Sequence, residues 1–522
     1  MARKSTLDKD LKKIVRLEEA THEAGLTAVK LGLALLFLLA VSVYVIQAVG
    51  GLEGQILVIV AAVIGGYMAL NIGANDVANN MGPAVGSAAL TMVGALAIAA
   101  VFEAAGAILA GGDVVSTISK GIVDPAAMPD AQTFIWAMMA ALLAAAIWLN
   151  LATYIGAPVS TTHAIVGGVL GAGVAAAGVT AVNWPTMAAI AASWVISPLL
   201  GAVVASIFLA GIKFLIIFKD DKMAAARRWV PFFVAIMAAV FSMYLVMKGL
   251  KHVWKPGAGV IVMIGIAAFA LAFALVKPLV ARASARLENT RKSVSSLFTV
   301  PLICSTALLS FAHGSNDVAN AVGPLAAVVS AVSSGDIAAQ VVVPTWVMVV
   351  GALGIVAGLL LFGPKLVRTV GQKITKLDRV RAFTVALAAA ITVLAASGLG
   401  LPVSTTHIAV GAVFGVGFFR EYLVNRRKRT RLQAADAVAA KAIFEGPLPD
   451  AGDQAARPGE AGAAPGAPLT EKQKKKLKKA RKRRLVRRTH LYTILAAWLI
   501  TVPMAAVFGA FFFFTFRGML MQ

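Results

Sequence analysis

Two short polar motifs occur twice in this chain, each time inside strongly apolar sequence. Residues 73–80 read GANDVANN and residues 314–321 read GSNDVANA. Residues 158–163 read PVSTTH, and residues 402–407 repeat them letter for letter. In the first pair, Asp76 and Asp317 are carboxylates in apolar surroundings, where an unpartnered charge costs several kcal/mol. A bound cation is one partner that offsets this cost, with further oxygen ligands from Asn75, Asn79, Asn316 and Asn320. On a helix, Asp76 and Asn79 share a face, as do Asp317 and Asn320. The opposing reading is a polar cluster that only ties two helices together. Duplication at matched places in two halves favours a binding site.

The PVSTTH copies suit the opposite charge. Pro ends one helix and fits the first turn of the next. Ser160, Thr161 and Thr162, and likewise Ser404, Thr405 and Thr406, then set hydroxyls at a helix start. Free N–H groups and the positive end of the helix dipole bind oxyanions there. Plain N-capping by Ser160 and Ser404 is the simpler account. A cap needs one hydroxyl, however, and three in a row occur twice. His163 and His407 follow at matched positions, as proton carriers, anion contacts or structural histidines. His313 has no counterpart, since Ile72 takes its place in the first copy. With Glu103, unmatched in an apolar run, it is either a coupling group or a packing contact. No HExxH, GxSxG or Walker loop is present, so nothing points to an enzyme or an ATP-driven pump.

The elements that hold these motifs are set by composition. The chain has 522 residues, 59% hydrophobic and 14% charged, with a net charge of +24. Soluble domains carry about 25% charged residues. Apolar runs of near-membrane length recur at 31–49, 92–110, 132–149, 187–212, 230–247, 259–276, 341–362 and 491–514. The expectation is an all-α polytopic membrane protein with roughly 11–12 membrane spans. The short alternating segments of a β-barrel are absent. Cys304 is the sole cysteine, which excludes an intramolecular disulfide and a four-cysteine metal site.

Asp76 precedes Pro158 by 82 residues, and Asp317 precedes Pro402 by 85. Trp194 and Pro198 are echoed by Trp498 and Pro503, with one residue of slack. The chain therefore divides into a cytoplasmic segment 1–29, an extra membrane helix 30–50, a first transport repeat 54–216, linking helices 217–294, and a second repeat 295–420. A cytoplasmic basic insert at 421–490 and a final helix 491–514 of the second repeat complete it. Basic residues cluster at 213–228, 277–292, 365–381 and 420–490, which the positive-inside rule assigns to the cytoplasm. The first repeat then starts outside and the second inside. This predicts two inverted-topology repeats, with the Gly-rich stretches after each PVSTTH as arms of re-entrant helical hairpins. The run EKQKKKLKKARKRRLVRR (471–488) reads as a solvated anchor touching anionic membrane lipid, with no aromatic interleaving to suggest nucleic acid.

At the duplicated motifs the chain resembles the inorganic phosphate transporter (PiT) family, over about 54–420 plus the final span. The resemblance implies cation-coupled uptake of inorganic phosphate across the plasma (inner) membrane, driven by Na⁺ or H⁺, with no cofactor and often as a homodimer. It implies that Asp76, Asn79, Asp317 and Asn320 serve the cation and phosphate sites, with Asp76 and Asp317 holding sodium if Na⁺ is the coupling ion. It implies too that Ser160, Thr161, Thr162, Ser404, Thr405 and Thr406 contact phosphate. Relatives that carry sulfate keep a sulfate permease as an alternative. A membrane receptor or scaffold acting through the basic insert is another, but it has no need of duplicated hydroxyl tips. The topology is open to a direct check. In a Cys304→Ser background, a cysteine introduced by Ala480→Cys should react with a membrane-impermeant reagent only from the cytoplasmic side; labelling of intact cells from outside would reverse the orientation.

Overall fold

A computed structural model describes residues 6–157, 159–250, 254–335, 343–373, 377–445 and 488–520. Among these residues there are helices and turns but no strand. The first half of the chain holds α1 (Thr6–Ala48), α2 (Gln55–Gly86), α3 (Met92–Ala110), α4 (Gly112–Ser116), α5 (Ala131–Ile155), α6 (Thr161–Ala177) and α7 (Trp184–Ile212). Two linking helices follow, α8 (Lys222–Tyr244) and α9 (Ala258–Ser284). The second half holds α10 (Arg291–Leu297), α11 (Thr299–Asp317), α12 (Ala319–Ser334), α13 (Thr345–Leu361), α14 (Gly363–Lys373), α15 (Arg379–Gly398), α16 (Thr405–Glu445) and α17 (Arg488–Leu520). Eleven helical stretches among the described residues are long and apolar enough to cross a membrane.

The first motif lies within the unbroken α2, whereas the second straddles the junction of α11 and α12 at Val318. Each PVSTTH segment lies between two helices that fold back on one another. Asp130 caps α5, accepting from the Thr133 N–H at 2.6 Å, and Asp378 caps α15, accepting from the Arg381 N–H at 2.9 Å. Gly156 caps the end of α5 at φ 75°, and Gly400, two residues past the end of α15, is left-handed at φ 71°. A side chain there would strain the turn that aims the next helix back. The tips that follow, including Val159, Ser160, Val403 and Ser404, are buried.

One difference from the sequence expectation concerns the second hairpin. Its returning arm does not stop near residue 420 but runs 41 residues, to Glu445. Residues 421–445 contain neither Gly nor Pro and are rich in helix formers, so the helix continues into the segment assigned to the basic insert. The remaining insert up to residue 487, with its Pro- and Gly-rich linker, lies outside the described residues, as does Pro158.

The halves are not side by side; they exchange partners. A Cβ at Gly73 would strike the Ile355 carbonyl, and one at Gly358 the Leu70 carbonyl, so α2 and α13 meet backbone to backbone. In the mirror arrangement, Gly314 of α11 abuts the Glu103 carbonyl of α3, and Gly106 abuts that of Phe311. The hairpins do the same. Gly167 and Gly171 of α6 face the carbonyls of Val502 and Ala506 on α17; Gly411 and Gly415 of α16 face those of Pro198 and Ala202 on α7. This packing pairs Pro198 with Val502, so Pro503 sits one residue past its counterpart, which is the slack seen in the sequence. Small residues let helices approach closely where lipid gives no hydrophobic drive to associate. The two large apolar cores accordingly mix the halves: one gathers side chains of α2, α5 and α6 with α12 and α13, the other those of α7 with α11, α15 and α16.

Gly106→Ala should therefore destabilise the protein by about 1–3 kcal/mol, because backbone must move to admit one methyl group. Gly259→Ala, with nothing within 4 Å of its Cβ, is the control. Thermal unfolding in detergent should show a clear fall in Tm for the first and none for the second.

Candidate functional site

The four motifs converge on one buried cluster. Asp76 and Asp317 have 0% relative exposure, and Thr161, Thr162, Thr405 and Thr406 have 2% or less. Thr161 Oγ1 lies 2.9 Å from Asp76 Oδ2 and 2.9 Å from Asp317 Oδ2. Thr406 donates to Asp76 Oδ1 at 2.9 Å, and Thr405 donates to Asp317 Oδ2 at 3.1 Å. The asparagines cross between halves. Asn79 donates to Thr406 Oγ1 at 2.9 Å, while Asn320 donates to Thr162 Oγ1 and Thr161 Oγ1, both at 3.3 Å. Each tip also grips the other: Thr162 donates to the Val403 carbonyl at 3.0 Å, and Thr406 is 3.4 Å from that of Val159.

Asn75 and Asn316 lie one step back and hold each motif to its own hairpin. Asn75 Nδ2 donates to Thr153 Oγ1 at 3.1 Å and to the Ala157 carbonyl at 3.3 Å. Asn316 meets Ser397 Oγ, its oxygen accepting at 2.8 Å, and its nitrogen donates to Asp317 Oδ1 at 3.1 Å and the Val403 carbonyl at 3.0 Å. Ser160 and Ser404 are the N-caps of α6 and α16, accepting from the N–H of His163 and His407, each at 3.2 Å. Their lone pairs are used as a simple cap would use them, and their hydroxyl protons remain to be donated. His163 and His407 stand away from the carboxylates. Their rings meet edge to face at 4.3 Å, flanked by Trp194 at 3.8 Å and Trp498 at 3.5 Å. They fasten the two returning helices to each other and to α7 and α17.

His313 lies at the centre. Its Nε2 is 3.4 Å from Asp317 Oδ2 and 3.6 Å from Asp76 Oδ2, and its Nδ1 is 3.4 Å from Glu103 Oε2. Asn80 donates to the other Glu103 oxygen at 2.9 Å. Asn80 is the residue that the sequence reading missed. Its signal was its mismatch: the second copy has Ala321 in its place. The glycine contacts pair Glu103 with Ile355 across the halves, and His313 answers Ile72. Three polar residues that lack polar counterparts in the other half thus form one connected group, Asn80–Glu103–His313.

Ligand atoms of Asp76, His313 and Asp317 all lie within 4.8 Å of one another, the spacing of groups that can share one ion. The surrounding donors are carboxylate, hydroxyl and amide oxygens, which suit hard cations. Three carboxyl groups face one imidazole; ionised together they would outnumber the single positive charge that His313 can carry. Beside it, two helix N-termini and their hydroxyls offer hydrogen-bond donors to an anion. The arrangement can hold a cation and an oxyanion in contact.

The chain is similar to known proteins. A profile of the phosphate transporter family matches residues 72–509. A protein of Helicobacter pylori strain J99 that carries the name of a phosphate permease is 48% identical over 523 residues, covering 97% of this chain and 98% of its own. One from Pyrococcus abyssi, also a phosphate permease by name, is 40% identical over 360 residues, covering 69% of this chain and 88% of its own. A solved structure titled the sodium-dependent phosphate transporter superposes with a TM-score of 0.73 at 33% identity, covering 88% of this chain and 99% of that one. With its eleven candidate membrane crossings and this match across most of its length, the chain is a multi-pass membrane protein of the phosphate transporter family.

Proposed function

We propose that the protein is a secondary active symporter that imports inorganic phosphate, with Na⁺ as the coupling ion and the two tips and paired carboxylates as the shared site. The observation that carries this reading is Thr161, whose single hydroxyl proton faces two carboxylate oxygens at 2.9 Å each. One of those two contacts lacks a proton, so two electron-rich oxygens face each other there unless positive charge is added. A cation at Asp76 and Asp317 removes the conflict. It also releases the hydroxyls of Thr161, Thr405 and Thr406 from the carboxylates, so that they can donate to phosphate. Without it, an arriving anion competes with carboxylates for the same donors and meets their charge. Binding is thereby ordered, cation before anion, and that order is the coupling. The sodium-dependent function named for the structural relative supports Na⁺. His313 among three carboxylates supports H⁺ as the alternative coupling ion. The two halves run in opposite senses through the membrane in this reading, with the basic segments in the cytoplasm.

Labelled phosphate uptake into proteoliposomes, with Na⁺ and pH gradients imposed separately, tests the coupling. A Na⁺ gradient should drive accumulation at fixed pH; accumulation driven by the pH gradient alone would move the assignment to H⁺. Asp76→Asn and Asp317→Asn should each lower coupled uptake by about 100-fold, since each removes a charged contact to the ion, while the protein still elutes as a folded species. Wild-type rates in both variants would make the carboxylates structural.

The anion is tested by competition. Phosphate near neutral pH still carries a proton that it can donate to a carboxylate, and sulfate does not. Excess sulfate should barely inhibit labelled phosphate uptake. Equal inhibition by both anions would make the site a general oxyanion site.

A further inference from the structure

The sequence has four separate basic segments, and one residue of each meets the others at a cavity away from the transport site. The cavity, about 310 Å³, lies between the end of α7, the start of α10, the start of α15 and the middle of α16. Lys213, Arg291, Arg381 and Arg420 line it, and Asp378 is its one carboxylate. Asp378 is already engaged. It pairs with Arg381 at 3.0 Å and caps α15 through the Arg381 N–H at 2.9 Å. Arg381 and Arg420 are half-buried and within electrostatic reach of each other. Lys213 lies over the Phe419 ring at 5.9 Å, and the three arginines alone outnumber the one committed carboxylate, so they repel one another unless an anion joins them. Guanidinium groups match phosphate oxygens two at a time, which makes a phosphate group the fitting anion. The remaining walls are apolar, with Leu209, Phe218 and Leu423 among them. A cationic mouth beside apolar walls between membrane helices is the form of a pocket for anionic lipid headgroups.

We propose that this cavity is a second anion site, distinct from the Asp76–Asp317 cluster, that binds a phosphate group. The apolar walls favour an anionic phospholipid as the source of that group over free inorganic phosphate. Because its cations come from α7's end, α10, α15 and α16, the bound group fastens the second hairpin to the last helix of the first half.

Native mass spectrometry of the full chain from mixed micelles containing phosphatidylglycerol tests the site. The wild type should retain one phosphatidylglycerol more than Arg381→Gln/Arg420→Gln, whose affinity should be about tenfold weaker. Arg381→Lys/Arg420→Lys keeps the charge without the planar fork and should fall between the two. Equilibrium dialysis against labelled inorganic phosphate in lipid-free detergent distinguishes the source: loss of one bound equivalent in the glutamine variant assigns the site to free phosphate. Monodisperse elution controls for folding, and if the double variant aggregates, Arg420→Gln alone carries the comparison. If the folded variant retains as much phosphatidylglycerol and as much inorganic phosphate as the wild type, the cavity is not an anion site.

Discussion

A hydroxyl has one proton, and Thr161 stands between two buried carboxylates that both approach it to 2.9 Å. The carboxyl groups around this point are shut off from solvent, and among the described residues His313 is the basic side chain set against them. Burying one such charge costs several kcal/mol, and its persistence requires compensation from elsewhere. Asparagine amides and threonine hydroxyls supply part of it, and His313 at most one positive charge. The shortfall is the chemical basis of the transport reading. A site that is incomplete without a cation cannot present its donors to an anion until the cation arrives.

Bringing two carboxylates and two helix starts to one point is a packing problem before it is an electrostatic one. Each half supplies one carboxylate and one tip, and each half leans on the helices of the other. Gly73, Gly358, Gly314 and Gly106 remove the side chains that would hold α2 from α13 and α11 from α3. Gly167, Gly171, Gly411 and Gly415 let the returning arms lie against α17 and α7. The final helix is thus no appendage. It forms the seat of the first hairpin, although more than 300 residues of chain lie between them.

Much of this was legible in the sequence because the chain states its site twice. Repetition separated Asp76, Asp317 and the tip hydroxyls from ordinary polar residues, and hydropathy placed α1, α3, α5, α7, α8, α9, α13 and α17. The helices that carry the motifs were harder to read, since polar residues dilute the apolar runs of α2, α11, α12 and α16. Roles within a motif were harder still. PVSTTH suggested Ser160 and Ser404 as plain caps, but nothing in it says that the threonines reach across to the other half. Nor could His163 and His407 be told from ligands, because their partners, Trp194 and Trp498, come from distant helices. Asn80 escaped because repetition was the guide, and Asn80 is where repetition fails.

That failure has a thermodynamic meaning. In a carrier made of two inverted halves, the outward and inward states arise when the halves swap conformations. Identical halves would make the two states equivalent by a twofold rotation and equal in energy, each populated half the time. The group Asn80–Glu103–His313 has the apolar set Ala321, Ile355 and Ile72 as its counterpart. It is polar in one half and greasy at the corresponding positions of the other. In the transport reading proposed above, such a group would weight the two conformations differently, as a thumb on one pan of a balance, and give the empty carrier a preferred resting side.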